Sequence, residues 1–171
     1  MPRFALLLVW LMLAACSSTP APRQDGVTFV LVRHAEKAMD DPDDPDDPDL
    51  SGVGHERAQR LAATLARADL TAVLVTEFRR TQQTAQPTAD AHGVALTRYY
   101  AKGPAGEVAA QWRRSYPRGT VLVVGHSNTI PDLVTALSGQ TAEPMTDQEY
   151  DRLTQVHIAA DGSVRVETSR Y

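Results

Sequence analysis

Residues 27–37 read Val27-Thr28-Phe29-Val30-Leu31-Val32-Arg33-His34-Ala35-Glu36-Lys37, and this stretch decides the fold. Its first six residues are mostly β-branched and apolar, too few for a helix. Their near-continuous apolarity marks a strand covered on both faces. The run then breaks into charge at Arg33 and His34. Two later stretches repeat the arrangement: Ala72 to Thr76 runs into Glu77-Phe78-Arg79-Arg80-Thr81, and Thr120 to Val124 runs into Gly125-His126-Ser127-Asn128.

The intervening segments read as helices. Ser51 opens one that carries Ala58, Leu61, Ala62 and Leu65; residues 80–91 form another, which Pro87 should limit or kink. A third spans 106–114. A fourth spans 129–137, with Pro131 in its first turn and Gly139 at its end. Leu96 to Tyr99 is a short strand, and Val156–Ile158 with Ser163–Thr168 forms a hairpin around Asp161-Gly162. Strands alternating with helices predict an α/β fold: a three-layer sandwich with a mostly parallel central sheet and helices on both faces.

In open sheets of this kind, ligands sit beyond the carboxyl ends of the strands. If the three strong strands are parallel neighbours, two histidines and at least two arginines converge there. Such a set suits a phosphate. The planar guanidinium matches phosphate oxygens two at a time. Phosphoryl transfer needs positioning and stabilisation of charge on the equatorial oxygens. A neutral imidazole can attack phosphorus and carry it as phosphohistidine. Neighbouring cations disfavour imidazolium and keep the nitrogen nucleophilic.

Other features bound the reading. The chain has 171 residues, 43% of them hydrophobic, which suits one packed domain. Residues 1–15 join a basic start to an apolar stretch too short for a comfortable membrane span, and read as an export signal. Leu13-Ala14-Ala15-Cys16 resembles a lipoprotein signal, which implies a lipid on Cys16 and a bacterial envelope location facing the periplasm. An ordinary signal peptide or an N-terminal anchor is the alternative. Residues 16–25 form a tether and 26–171 the domain. Cys16 is the sole cysteine, so the domain has no disulfide, thiol nucleophile or multi-cysteine metal site.

Seven aspartates lie between Asp40 and Asp49, in a run built on Asp-Asp-Pro. The run lacks the spacing of a calcium loop and reads as a solvated acidic loop. Without this run and the leader, 16 cations face 14 anions. No basic patch marks a nucleic-acid partner. His55, His92 and His157 stand in no motif and read as surface residues, while Gly125 suits a tight turn.

Four segments resemble the histidine phosphatase superfamily, the clan that includes phosphoglycerate mutases. Val32 to Lys37 resembles its Arg-His signature. Leu50-Ser51-x-x-Gly54-x-x-Arg57-Ala58 resembles the opening of its first helix. Thr76 to Ala85 resembles its Ser-x-x-x-Arg-Ala-x-Gln-Thr-Ala segment, and Val123 to Asn128 its second histidine motif. The resemblance implies a phosphoglycerate mutase-like fold. It makes His34 the phosphoryl acceptor, with Arg33, Arg80 and His126 binding the phosphate. The implied protein is a histidine acid phosphatase-like phosphoric monoester hydrolase that takes a small phosphorylated substrate and uses no metal or cofactor. For the proton donor, Glu107 is favoured over Asp90 and Glu36. A mutase is disfavoured, because the chain lacks the long insertions of phosphoglycerate mutases. The rival reading is a non-catalytic lipoprotein that binds a phosphorylated envelope ligand in the same pocket.

Overall fold

The computed structural model describes residues 26–39 and 46–171. The expected signal, lipidated Cys16 and tether lie outside the described residues, as do residues 40–45 of the acidic loop. Among the described residues no helix is long and apolar enough to cross a membrane.

The elements in chain order are β1 (Gly26–Arg33), α1 (Gly52–Leu65), β2 (Leu70–Val75), α2 (Arg79–His92), β3 (Leu96–Arg98), α3 (Ala105–Ser115), β4 (Gly119–Gly125), α4 (Ile130–Ser138), β5 (Arg152–Ala159) and β6 (Val164–Arg170). The six strands form one sheet in the order β3-β2-β4-β1-β5-β6. β3, β2, β4 and β1 run parallel, while β5 lies antiparallel to both β1 and β6.

Alternation along the central strands builds the three layers. Phe29, Leu31, Leu74, Val121 and Val123 face one side, where Trp112 of α3 and Leu133 and Leu137 of α4 cover them. Val30, Val32, Val73, Val75, Leu122 and Val124 face the other, against Leu61 and Leu65 of α1 and Ala85 and Ala89 of α2. Burial on both faces is why these strands carry no polar alternation in sequence.

Local chemistry fixes the helix ends. The Ser51 hydroxyl accepts the Gly54 N–H at 3.1 Å, a side-chain cap for α1. Gly139 closes α4 with φ +73°, a left-handed conformation that glycine adopts freely. Gly54 is required for space, because a Cβ there would run into the Glu36 carbonyl oxygen.

Several expectations are revised. α2 runs from Arg79 to His92, close to the expected 80–91, and Pro87 does not limit it. Buried Thr84, Ala85, Thr88 and Ala89 hold it against the sheet, and packing overrides the lost backbone bond. Gly125 ends a strand rather than making a turn. An added Cβ there would lie 2.8 Å from the Tyr99 hydroxyl and 2.9 Å from Ile130 Cδ1, so close packing explains it. The C-terminal hairpin is longer than its apolar residues suggest, since β5 begins at Arg152. His55 is exposed, but His92 and His157 are half-buried and bonded to the Leu65 carbonyl and the Thr28 hydroxyl.

Candidate phosphoryl-transfer site

The parallel register places Arg33 beside Gly125, and Val75 beside Val124. His34 and His126, the residues that follow β1 and β4, therefore emerge together at the carboxyl edge of the sheet. Their ring centroids are 5.3 Å apart at 65°. Both side chains are buried, at 4% and 8% exposure.

His34 is held from several directions. Its backbone N–H donates to the Gly125 carbonyl at 2.9 Å. The next N–H, of Ala35, donates to the Thr84 hydroxyl at 2.9 Å, and that hydroxyl donates to the Arg80 carbonyl at 2.7 Å. These bonds tie the end of β1 to α2. The ring Nδ1 lies 2.8 Å from the Ala35 carbonyl. A carbonyl only accepts, so Nδ1 carries the proton and Nε2 keeps its lone pair. Burial lowers the His34 pKa to about 3; the Ala35 carbonyl opposes this, while His126, Arg33 and Arg80 add to the lowering. Near neutral pH the ring is uncharged and Nε2 is a free base.

His126 is lowered to about 4, chiefly by burial and then by Arg80, with Glu77 opposing. Its Nε2 lies 3.1 Å from the buried Thr76 hydroxyl, which contacts the Thr81 hydroxyl at 2.9 Å. Thr81 also donates to the Phe78 carbonyl at 2.8 Å. The Phe78 ring stands edge-on to His126, with centroids 5.2 Å apart.

Arg80 lies with its guanidinium carbon 4.2 Å from the Phe78 ring centroid, a cation–π geometry. Arg33 lies similarly on Tyr150, at 4.1 Å. Arg33 Nη1 also donates to the carbonyls of Thr146 and Asp147, at 3.2 and 3.0 Å. The same guanidinium whose charge acts on both histidines thus fastens the 146–150 segment. The Nε–H groups of both arginines are buried without a protein partner. Buried donors are almost always satisfied, and two orphans beside a histidine pair suit an oxyanion ligand.

The four phosphate-site residues named from sequence therefore come together. The three expected acids fare differently. Glu107 sits exposed in the first turn of α3, with no side-chain partner among the described residues. Asp90 is exposed near the far end of α2 and accepts from Gln86. Glu36 is taken by Arg57, whose Nε donates to both carboxylate oxygens at 3.0 and 2.9 Å and whose Nη2 donates at 2.6 Å. Burial pushes the Glu36 carboxyl up, but the Arg57 bonds outweigh it and hold it below its usual range.

The carboxylates whose charge reaches His126 are Glu77 and Asp47. Glu77 accepts the Ala101 N–H at 3.1 Å. Asp47 pairs with Arg80 at 3.1 Å, and Asp49 pairs with Arg79 at 3.3 Å and Gln83 at 2.7 Å. The described end of the acidic loop is thus docked on α2, not simply solvated. Neither Asp47 nor Tyr150 stands out in the sequence reading. One lies in a uniform acidic run and the other in an irregular segment without periodicity. A separate cavity of about 390 Å³ lies between α4 and the β5–β6 hairpin and includes neither histidine.

Residues 29–100 match the family described as the histidine phosphatase superfamily (branch 1). That segment holds His34 and Arg80; the fold supplies His126 from outside it. No curated protein matches the chain. Among solved structures, the protein histidine phosphatase SixA bound to tungstate aligns with a TM-score of 0.64 at 19% identity, covering 84% of this chain and 96% of its own. A mycobacterial glucosyl-3-phosphoglycerate phosphatase aligns with a TM-score of 0.64 at 15% identity, covering 85% and 98%. A protein described as mycobacterial hydrolase 1 aligns with 0.64 at 16%, covering 85% and 99%. At these identities the likeness establishes a shared fold.

Proposed function

We propose that the chain is a phosphomonoesterase of the histidine phosphatase superfamily that works through a phosphohistidine on His34. The observation that carries the reading is the state of that ring. Its Nδ1 proton is committed to the Ala35 carbonyl, its charge is suppressed by burial, and a second histidine and two guanidinium groups stand beside it.

In the first step the His34 Nε2 lone pair attacks phosphorus, and the bond from phosphorus to the ester oxygen breaks. The leaving oxygen takes a proton as it departs. His126, Arg33 and Arg80 stabilise charge on the three remaining oxygens. Water then attacks phosphorus as the bond to His34 Nε2 breaks, its proton passing to the carboxylate that served the first step, which releases phosphate and restores the free His34 ring. We propose Glu77 rather than Glu107 as the proton donor, because Glu77 follows β2 and its charge acts on both His126 and Arg80.

The two phosphatases of shared fold act on different substrates by their descriptions. The fold therefore leaves the physiological ester open, and we propose a small phosphorylated substrate. From residues 1–19 we further propose export and lipid attachment at Cys16, which would place the pocket outside the cytoplasm.

The test is turnover of p-nitrophenyl phosphate and trapping of radiolabelled phosphate. The wild type should hydrolyse the ester and yield an acid-labile, base-stable phosphoprotein, and His34→Ala should do neither. Turnover retained by His34→Ala removes the assigned nucleophile. Phosphate binding without turnover by the wild type favours the non-catalytic binding protein.

A further inference from the structure

Resting on that reading, we propose that Asp47 is a positioning residue for phosphoryl transfer, which fixes Arg80 so that the Nε–Nη2 edge of its guanidinium is presented to the phosphoryl oxygens.

A guanidinium has three nitrogens and can offer a phosphate a bidentate edge made of two of them. In Arg80 the choice of edge is already made. Nη1 donates to Asp47 Oδ1 at 3.1 Å. Nε is buried with no partner, and among the described residues the Nη1 bond to Asp47 is the one side-chain hydrogen bond that Arg80 donates. The Phe78 ring covers one face of the group. Asp47 thus takes the third nitrogen and leaves the side-on pair unused.

Asp47 is itself anchored. Its two carboxylate oxygens accept the backbone N–H of Arg79, at 3.1 and 2.9 Å, at the N-terminus of α2. Phe78, the residue that opens this helix, supplies no side-chain cap, so Asp47 provides one from another segment. Its backbone carbonyl accepts from Arg79 Nε and Nη2, at 3.1 and 2.6 Å. The following residue, Pro48, is buried, and Leu50 N–H donates to Gln83 Oε1 at 2.8 Å. A residue tied to α2 through both its carboxylate and its backbone carbonyl can hold a partner's side chain in one orientation. It also offsets part of the charge of a largely buried guanidinium before substrate arrives.

The alternative role for the same carboxylate is that of a competing anion, which substrate must displace from Arg80. The two roles differ in sign. If Asp47 positions Arg80, Asp47→Ala lowers kcat for p-nitrophenyl phosphate by about 10- to 100-fold, the scale expected for a displaced charge-stabilising group. It also weakens inhibition by orthovanadate, and Asp47→Glu recovers part of the rate. If Asp47 competes, both quantities move the other way, and the proposal is overturned.

Loss of the helix cap alone would lower stability whatever stands at position 80. The measurement is therefore repeated in Arg80→Ala. Positioning requires that Asp47→Ala add no further loss of rate in that background, while the fall in melting temperature persists. An equal rate loss in both backgrounds overturns the proposal and leaves the phosphatase intact. An inactive wild type removes the phosphatase reading, and the role of Asp47 with it.

Discussion

The uncharged state of the paired histidines should be measurable without any substrate, as a loss of stability in mild acid. An unfolded chain holds its imidazoles near their ordinary pKa of 6.5, whereas the folded protein lowers His34 to about 3 and His126 to about 4. At pH 5 the unfolded chain binds a proton at each position and the folded chain binds neither. Depressed folded values mean that the contribution is complete above pH 6.5 and is lost as the pH falls toward the folded values. Each pKa unit is worth about 1.4 kcal/mol, so each ring costs about 2 kcal/mol of stability between pH 7 and pH 5. Together they remove about 4 kcal/mol, a large share of the stability of a typical domain. Most of the loss falls between the unfolded value of 6.5 and pH 5, so the figure depends little on how far below 5 each folded value lies.

The assay is urea unfolding of the wild type, His34→Gln and His126→Gln at the two pH values. Each variant should lose about 2 kcal/mol less than the wild type over that interval. The difference between proteins cancels the carboxylates, which titrate in common. Equal losses in wild type and His34→Gln would mean that the imidazole keeps an ordinary affinity for protons, and the argument for a free Nε2 base would fail.

Replacing the proposed acid by Glu77→Gln should slow an alkyl phosphate, which has a poor leaving group, more than p-nitrophenyl phosphate, whose leaving group needs little help; Glu107→Gln should leave both unchanged, and the opposite ranking would return the role to Glu107. Radiolabelled palmitate should be incorporated by a bacterial host expressing the full chain and lost in Cys16→Ser; label retained by the variant would exclude lipid attachment at that thiol.

Much of the architecture was legible because burial writes itself into the sequence. β1, β2 and β4 are covered on both faces, so each appears as an unbroken apolar run, and the chemistry begins where each run stops. Ser51 and Gly139 mark helix ends through their own hydrogen bonding and backbone freedom. Pro87 does not limit α2, because a local backbone defect is outweighed by the buried neighbours Thr84, Ala85, Thr88 and Ala89. Asp47 and Tyr150 escaped notice for a related reason. Each acts on an arginine distant in sequence, Asp47 on Arg80 and Tyr150 on Arg33. Seven aspartates in one loop look alike until the fold selects one of them.

β1 lies in the interior of the sheet, yet it is the first strand of the described chain, and both of its hydrogen-bonded neighbours, β4 and β5, come late. A ribosome that has delivered the first 118 residues has made the nucleophile but nothing to flank it on either side. Fragments ending there should be inactive, since they lack His126 and the strands that bury His34. Such a topology works as an order of assembly: the reactive nitrogen is armed last, when the polypeptide closes around it.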